Sequence, residues 1–273
     1  MNAALPLIVS LNCGCFFRGR FLIETPECEE HRKLESLDDI DDEPTEFKFD
    51  QLSDRAKERA RDNYREGYPD HDWWDSVYDD AVTIAEMMGI EIFDKPVGTK
   101  AGIHTEPEIY FSGFHSQGDG ASFSGRWTPI KDPIHSLNRV MAHAPQDKAL
   151  HSLAFDLALL SEGCNELIPD AYVATFVSSG HCLNSGSVSF NVDLPLPDNV
   201  SEDNELQVMV HNALRKARGL DYDTFEDRIK LNLRGFMDWI YGQLRAEHDF
   251  LTSDENVDGY LTELTFDEDG NEI

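Results

Sequence analysis

The 273-residue chain carries 53 Asp and Glu against 23 Lys and Arg, a formal net charge of −30, and 40% of its residues are apolar. That is enough apolar material for a buried core in one large domain or two small ones. A surface this negative repels phosphate groups, which excludes a general binder of nucleic acids or anionic membranes and leaves open a basic protein partner, or a nucleic-acid channel filled by carboxylates.

The chain opens on "MNAALPLIVSLNCGCFF", whose apolar run has no charged residue before it, holds Ser10 and Asn12, and is too short to span a bilayer. It reads as a first strand or an attached extension, with a signal peptide as the alternative. From Cys28 to Glu46 nine acids face only Arg32 and Lys33, the composition of a flexible linker. Residues 1–46 are therefore expected to be an extension and acidic linker, residues 47–257 a single domain, and residues 258–273 an acidic C-terminal strand or tail. The five cysteines, Cys13, Cys15, Cys28, Cys164 and Cys182, show no two-residue zinc spacing. Their odd number suits a reducing cytoplasm, and the one zinc arrangement worth naming joins Cys182 to His181 and two distant ligands.

In "LSDRAKERARDNY" Leu52, Ala56, Ala60 and Tyr64 recur every four residues, with Ser53 placed to cap. In "DWWDSVYDDAVTIAEMMGI" Trp74, Val77, Ala81, Ile84 and Met88 form the apolar stripe of a second helix that ends at Gly89. Its other face presents Asp72, Asp75, Asp79, Asp80 and Glu86, either a solvated surface or a row of carboxylates for a basic partner. Strand grammar follows in "IYFSGF" and "ASFSGRW", joined by "HSQGDG", and again in "AYVATFVSS" and "SVSFNVDL", joined by "GHCLNSG". Between these pairs, Leu150, Leu153, Leu157 and Leu160 mark a core helix after Pro145. A longer helix is expected over residues 223–250, with Phe225, Ile229, Leu233, Phe236, Ile240 and Leu244 inward. A less periodic helix is expected over residues 202–218. Near the end, "YLTELTF" reads as a short strand and "DEDGNE" as a turn. The expected class is α+β, an antiparallel sheet built from two hairpins and covered by four to five amphipathic helices.

The chemistry concentrates in "YFSGFHSQGDGASFSG". It has neither G-x-G-x-x-G nor a phosphate-loop lysine. It does offer backbone N–H groups with Ser112, His115, Ser116, Gln117, Gly118, Asp119 and Gly120, an inventory that suits a polar small molecule, with Arg126 as a nearby cation. The alternative is a bulged turn in which Gly118 and Gly120 take positive φ, Asp119 caps, and Phe111, Phe114 and Phe123 pack inward. None of the ten histidines sits in a spaced metal motif, and "DEDGNE" is too short for a calcium loop. No metal, cofactor or catalytic residue is assigned.

The segments "FDQLSDRAKERARDNY", "DWWDSVYDDA", "YFSGFHSQGDGASFSG", "APQDKALH" and "FMDWIYGQLRAEHDFLTSDENV" together resemble a family of proteins from tailed phages and prophages. Some members carry the label of an antitoxin from a toxin–antitoxin stability system. The resemblance covers about Phe47 to Val257, and the glycine-rich segment is its most recognisable motif. It implies a setting in the bacterial cytoplasm and two function classes. One is an accessory protein that neutralises a host defence component or toxin without catalysis, its acidic helix face suited to a basic, nucleic-acid-binding protein. The other is a sponge for a small nucleotide signal that uses the glycine-rich turn; an enzyme is a third class.

Overall fold

The computed structural model describes residues 8–10, 16–18, 21–23, 46–67, 72–99, 102–167, 174–178, 183–192 and 222–273, with isolated positions between 205 and 216. Most of the helix expected over 202–218 lies outside these residues, as do His181 and four of the five cysteines. The chain divides into two compact units, Met1–Asn63 with Tyr260–Ile273, and Tyr64–Gly259. Among the described residues six helices accompany antiparallel strands, an α+β protein. No helix among them is long and apolar enough to cross a membrane.

In the first unit β1 (Ile8–Ser10), β2 (Phe16–Arg18) and β3 (Phe21–Ile23) form an antiparallel meander. β4 (Phe47–Lys48) pairs with the short strand Thr265–Phe266. The first helix, α1 (Asp54–Gly67), begins as its sequence requires, with Ser53 Oγ accepting from the Ala56 N–H at 3.2 Å. The strand expected over "YLTELTF" is shorter than its alternation suggests, because Tyr260 and Leu261 still belong to the helix Asp254–Leu261. Ser253 caps that helix and two acids occupy its first turn, where the helix dipole favours them. "DEDGNE" is the expected turn: the Asp267 carboxylate accepts from the N–H of Asp269 and Asn271 and from the Asn271 amide.

The second unit carries the candidate site. α2 (Asp75–Met87) buries Tyr78, Ala81, Ile84 and Ala85. After it come β5 (Ile90–Ile92), the ladder of β6 (Asp94–Thr99) with β7 (Gly102–Pro107), and then β8 (Ile109–Phe111), β9 (Ala121–Phe123) and β10 (Gly125–Trp127). Two helices follow, α3 (Pro133–His143) and α4 (Lys148–Leu167), then β11 (Ala174–Ser178), β12 (Val188–Val192) and the long α5 (Tyr222–Leu251). The six α5 residues expected inward are all fully buried.

Both expected hairpins form, yet they do not make one sheet. β8 and β9 pair only with each other, whereas β12, β11, β10 and β5 form a four-stranded sheet in that order. The change of partner falls at buried Ser124. Its N–H donates to the Glu108 carbonyl at 3.1 Å, its carbonyl accepts from Phe93 N–H at 3.0 Å, and its hydroxyl accepts from Ser178 N–H at 3.1 Å. "ASFSGRW" is therefore two strands: at Ser124 the backbone bonds turn to Glu108 and Phe93, and the side chain takes the Ser178 N–H. The core gathers Trp127, Phe123, Phe176, Phe236, Ile84 and Leu157. Trp127 Nε1 donates to the Met88 carbonyl at 3.1 Å, so even the largest core side chain has its polar atom satisfied.

α3 was not legible in advance. Asp132 accepts from the His135 N–H at 3.0 Å, with Pro133 in the first turn. That is a strong start signal, but only Ser136 and Val140 of this helix are buried, so its apolar stripe is faint.

Candidate functional site

The turn between β8 and β9 is closed by its own polar groups. Ser112 N–H donates to the Gly120 carbonyl at 3.0 Å, and Ser112 Oγ accepts from Gly120 N–H at 3.2 Å, which extends the ladder beyond Phe111. Asp119 Oδ2 accepts from the N–H groups of His115 and Ser116 at 2.9 and 2.6 Å. Asn184 Nδ2, from the segment before β12, donates to the Gly118 carbonyl at 2.7 Å. Gly118 has φ of +97°, the left-handed conformation expected of it. Gly120 serves a different purpose from the one expected: it is not at positive φ, but a Cβ there would lie 2.5 Å from Asn184 Cβ.

The structure thus brings Ser112, His115, Ser116, Gly118, Asp119 and Gly120 together as one closed loop. The side chains of His115, Ser116 and Gln117 remain exposed at its tip. Arg126 is placed elsewhere, on β10 opposite Glu91 of β5 in the sheet register, and it forms an ion pair with that residue. Arg126 lies six positions beyond Gly120, at most roughly 20 Å along an extended chain at about 3.3 Å per residue.

Beneath the turn lies an aromatic cluster that the sequence did not assemble. Trp73 meets Phe111 edge-on at 5.6 Å and lies 6.2 Å from Phe114, while Phe111 and Phe114 stack at 6.0 Å. Phe114 reaches Tyr241 at 5.5 Å and His248 at 5.0 Å, and Trp73 reaches His248 at 5.7 Å. Trp74 closes the group on Phe111 at 5.7 Å. All six rings are half-buried. Tyr241 donates its hydroxyl to the Gly113 carbonyl at 3.0 Å and so ties α5 to the turn. Burial raises the Tyr241 hydroxyl pKa above its ordinary value, the Asp119 carboxylate adds to the rise, and Arg245 opposes it. Within the cluster His248 Nδ1 is enclosed with no hydrogen-bond partner among the described residues, the Asp249 carboxylate lying 3.9 Å away. Tyr241 therefore faces its own unit, as does Trp239, whose Nε1 donates to Asp147 Oδ2 at 2.6 Å.

Beside this cluster the acidic row divides. Asp72, just before α2, and Asp75 and Asp79 within it are exposed, and β7 adds Glu106 to them. The Asp75 carboxyl is held above its ordinary pKa, first by burial and then by the charges of Asp72, Glu106 and Asp79. Asp80 lies apart, with its carboxylate 2.6 Å from His143 Nε2 on α3. The result is three carboxylates without a cation among the described residues, next to half-exposed tryptophans. Such an arrangement attracts a lysine or arginine by Coulomb energy and by the negative faces of the rings. Among the described residues no group of three or more His, Cys, Asp and Glu side chains is placed to hold a metal ion.

Fold and site together define an acidic α+β domain in which, among the described residues, exposed carboxylates stand beside half-buried aromatic rings. The family model for a domain of unknown function, DUF8835, matches residues 73–254, two thirds of the chain, and the protein belongs to that family. The matched span begins at Trp73 of the aromatic cluster and takes in the glycine-rich turn, Tyr241 and His248. No curated protein and no solved structure matches the chain.

Proposed function

We propose that this is a non-catalytic binding protein, an accessory protein of phage or prophage origin that acts in the host cytoplasm. It captures and neutralises a basic, nucleic-acid-binding defence component or toxin. The observation that carries this reading is the exposed set of Asp72, Asp75 and Asp79 beside Glu106, with no cation paired to the three among the described residues; the Asp75 carboxyl is raised first by burial and then by the charges of its neighbours. A partner's lysine or arginine would supply that missing charge, and Trp73 and Trp74 beside it would cover the aliphatic stem of the incoming residue.

The sponge alternative has less support from the same geometry. A nucleotide phosphate needs unoccupied backbone donors, and two of the turn's N–H groups already bind the Asp119 carboxylate.

A lysine- and arginine-rich fluorescent peptide titrated against the full chain tests the proposal. Binding should weaken as salt rises, and the triple change Asp72→Asn, Asp75→Asn and Asp79→Asn should raise the dissociation constant at least tenfold, about 1.4 kcal/mol. Asp119→Ala should leave affinity unchanged. Loss of binding with Asp119→Ala and retention in the triple variant would overturn the proposal.

A further inference from the structure

The antiparallel pair α3 and α4 presents four exposed large apolar side chains. Ile134 is 75% exposed and Met141 43% on α3, and Phe155 and Leu159 on α4 are 51% and 42% exposed. Ile134 and Met141 are seven residues apart and Phe155 and Leu159 four, so each pair occupies one side of its helix. The sides adjoin, because Ile134 lines a shallow groove together with Glu162 and Asn165 of α4. Four large apolar side chains on one helical hairpin are more than scattered surface residues account for.

Charge indicates what covers them. Residues 131–165 hold Lys131, Arg139 and Lys148 against Asp132, Asp147, Asp156 and Glu162, a net charge of −1, in a chain whose net charge is −30. Two copies of so acidic a protein repel over most of their surface, and this near-neutral face is where they can approach. The face is also self-complementary. With a two-fold axis parallel to the helices, α3 of one copy lies over α4 of the other, antiparallel to it. On helical wheels Arg139 falls on the outer flank of α3 and Asp156 on the outer flank of α4. The same two-fold therefore sets Arg139 of each copy near Asp156 of the other, at the rim of an apolar centre.

We propose that the protein forms a two-fold dimer through the α3–α4 face, with Ile134, Met141, Phe155 and Leu159 at its centre. None of Asp72, Asp75 and Asp79 belongs to α3 or α4, and the dimer stands independently of what those carboxylates bind.

Sedimentation velocity on the full chain at several concentrations tests it. The expected result is a dimer at about 100 μM, well above the micromolar constants of small interfaces. Phe155→Glu with Leu159→Glu should give a monomer with unchanged circular dichroism, whose melting temperature, unlike the parent's, does not rise with protein concentration. Arg139→Glu should raise the dissociation constant at least fivefold, and adding Asp156→Arg should restore it. A wild-type monomer at that concentration would overturn the proposal and assign the face to a different partner. A dimer that persists in the Phe155→Glu, Leu159→Glu variant would overturn it as well.

Discussion

The turn over residues 112–120 and the first turns of α2 are both polar, and both rest on the cluster of Trp73, Phe111 and Phe114, but they dispose of their polar groups in opposite ways. In the turn, Asp119 accepts from two N–H groups, Ser112 bonds Gly120, and Asn184 holds the Gly118 carbonyl. At the start of α2, Asp72 just before the helix and Asp75 and Asp79 within it stand beside Glu106, and the Asp75 carboxyl is raised above its ordinary pKa first by burial and then by those neighbouring charges. A polar group satisfied within the fold stabilises it, and one left uncompensated is a cost that a partner can relieve. By this measure the recognisable glycine-rich segment is architecture, and the plainer acidic helix is the candidate binding surface.

Substitutions can break that comparison. The largest effect is expected from Gly120→Ala, which drives a methyl group against Asn184 and should cost about 1–3 kcal/mol. A denaturant midpoint unchanged in this variant would show that the turn is not held by its approach to Asn184. Asp119→Ala leaves two N–H groups without their acceptor, and as they are exposed the expected loss is about 1 kcal/mol. Hydrogen exchange should then quicken at His115 and Ser116, while the amides of α2 keep their protection. Tyr241→Phe removes only the bond to the Gly113 carbonyl and should cost about 0.5–1 kcal/mol. A shift in the fluorescence of the neighbouring tryptophan would report the loosened cluster.

The smallest expected effect has the opposite sign. A carboxyl whose folded pKa lies above its unfolded value favours the folded state when protonated, so Asp75 contributes stability at low pH that is lost as pH rises through the interval above 3.8. Asp75→Asn should therefore be slightly more stable than the parent at neutral pH and equal to it in acid. Thermal melts across that range check the sign, and a neutral-pH loss in the variant would mean that Asp75 has a compensating partner after all.

Much of the scaffold was legible because it repeats locally. The inward stripe of α5 at steps of three and four is an arithmetic property of the sequence, and its six side chains are buried. The capping roles of Ser53 and Asp119 were legible because cap and capped N–H lie within four residues. α3 escaped notice because few of its residues are buried, and the switch of strand partners at Ser124 escaped because it depends on Glu108 and Ser178.

By itself, then, the sequence determined the class of fold, the helices with a clear stripe, both hairpins, and the glycine turn as a turn. These follow from periodicity and from hydrogen bonds that span a few residues. Only the tertiary structure decided that Arg126 pairs with Glu91 away from the turn, and that Asp80 joins His143 and leaves the acidic row. It alone set Phe114 against Tyr241 and His248, and Asn184 against Gly118. Each of those contacts joins residues at least 35 positions apart, and nothing in local spacing records which distant side chain a folded chain will bring within bonding distance.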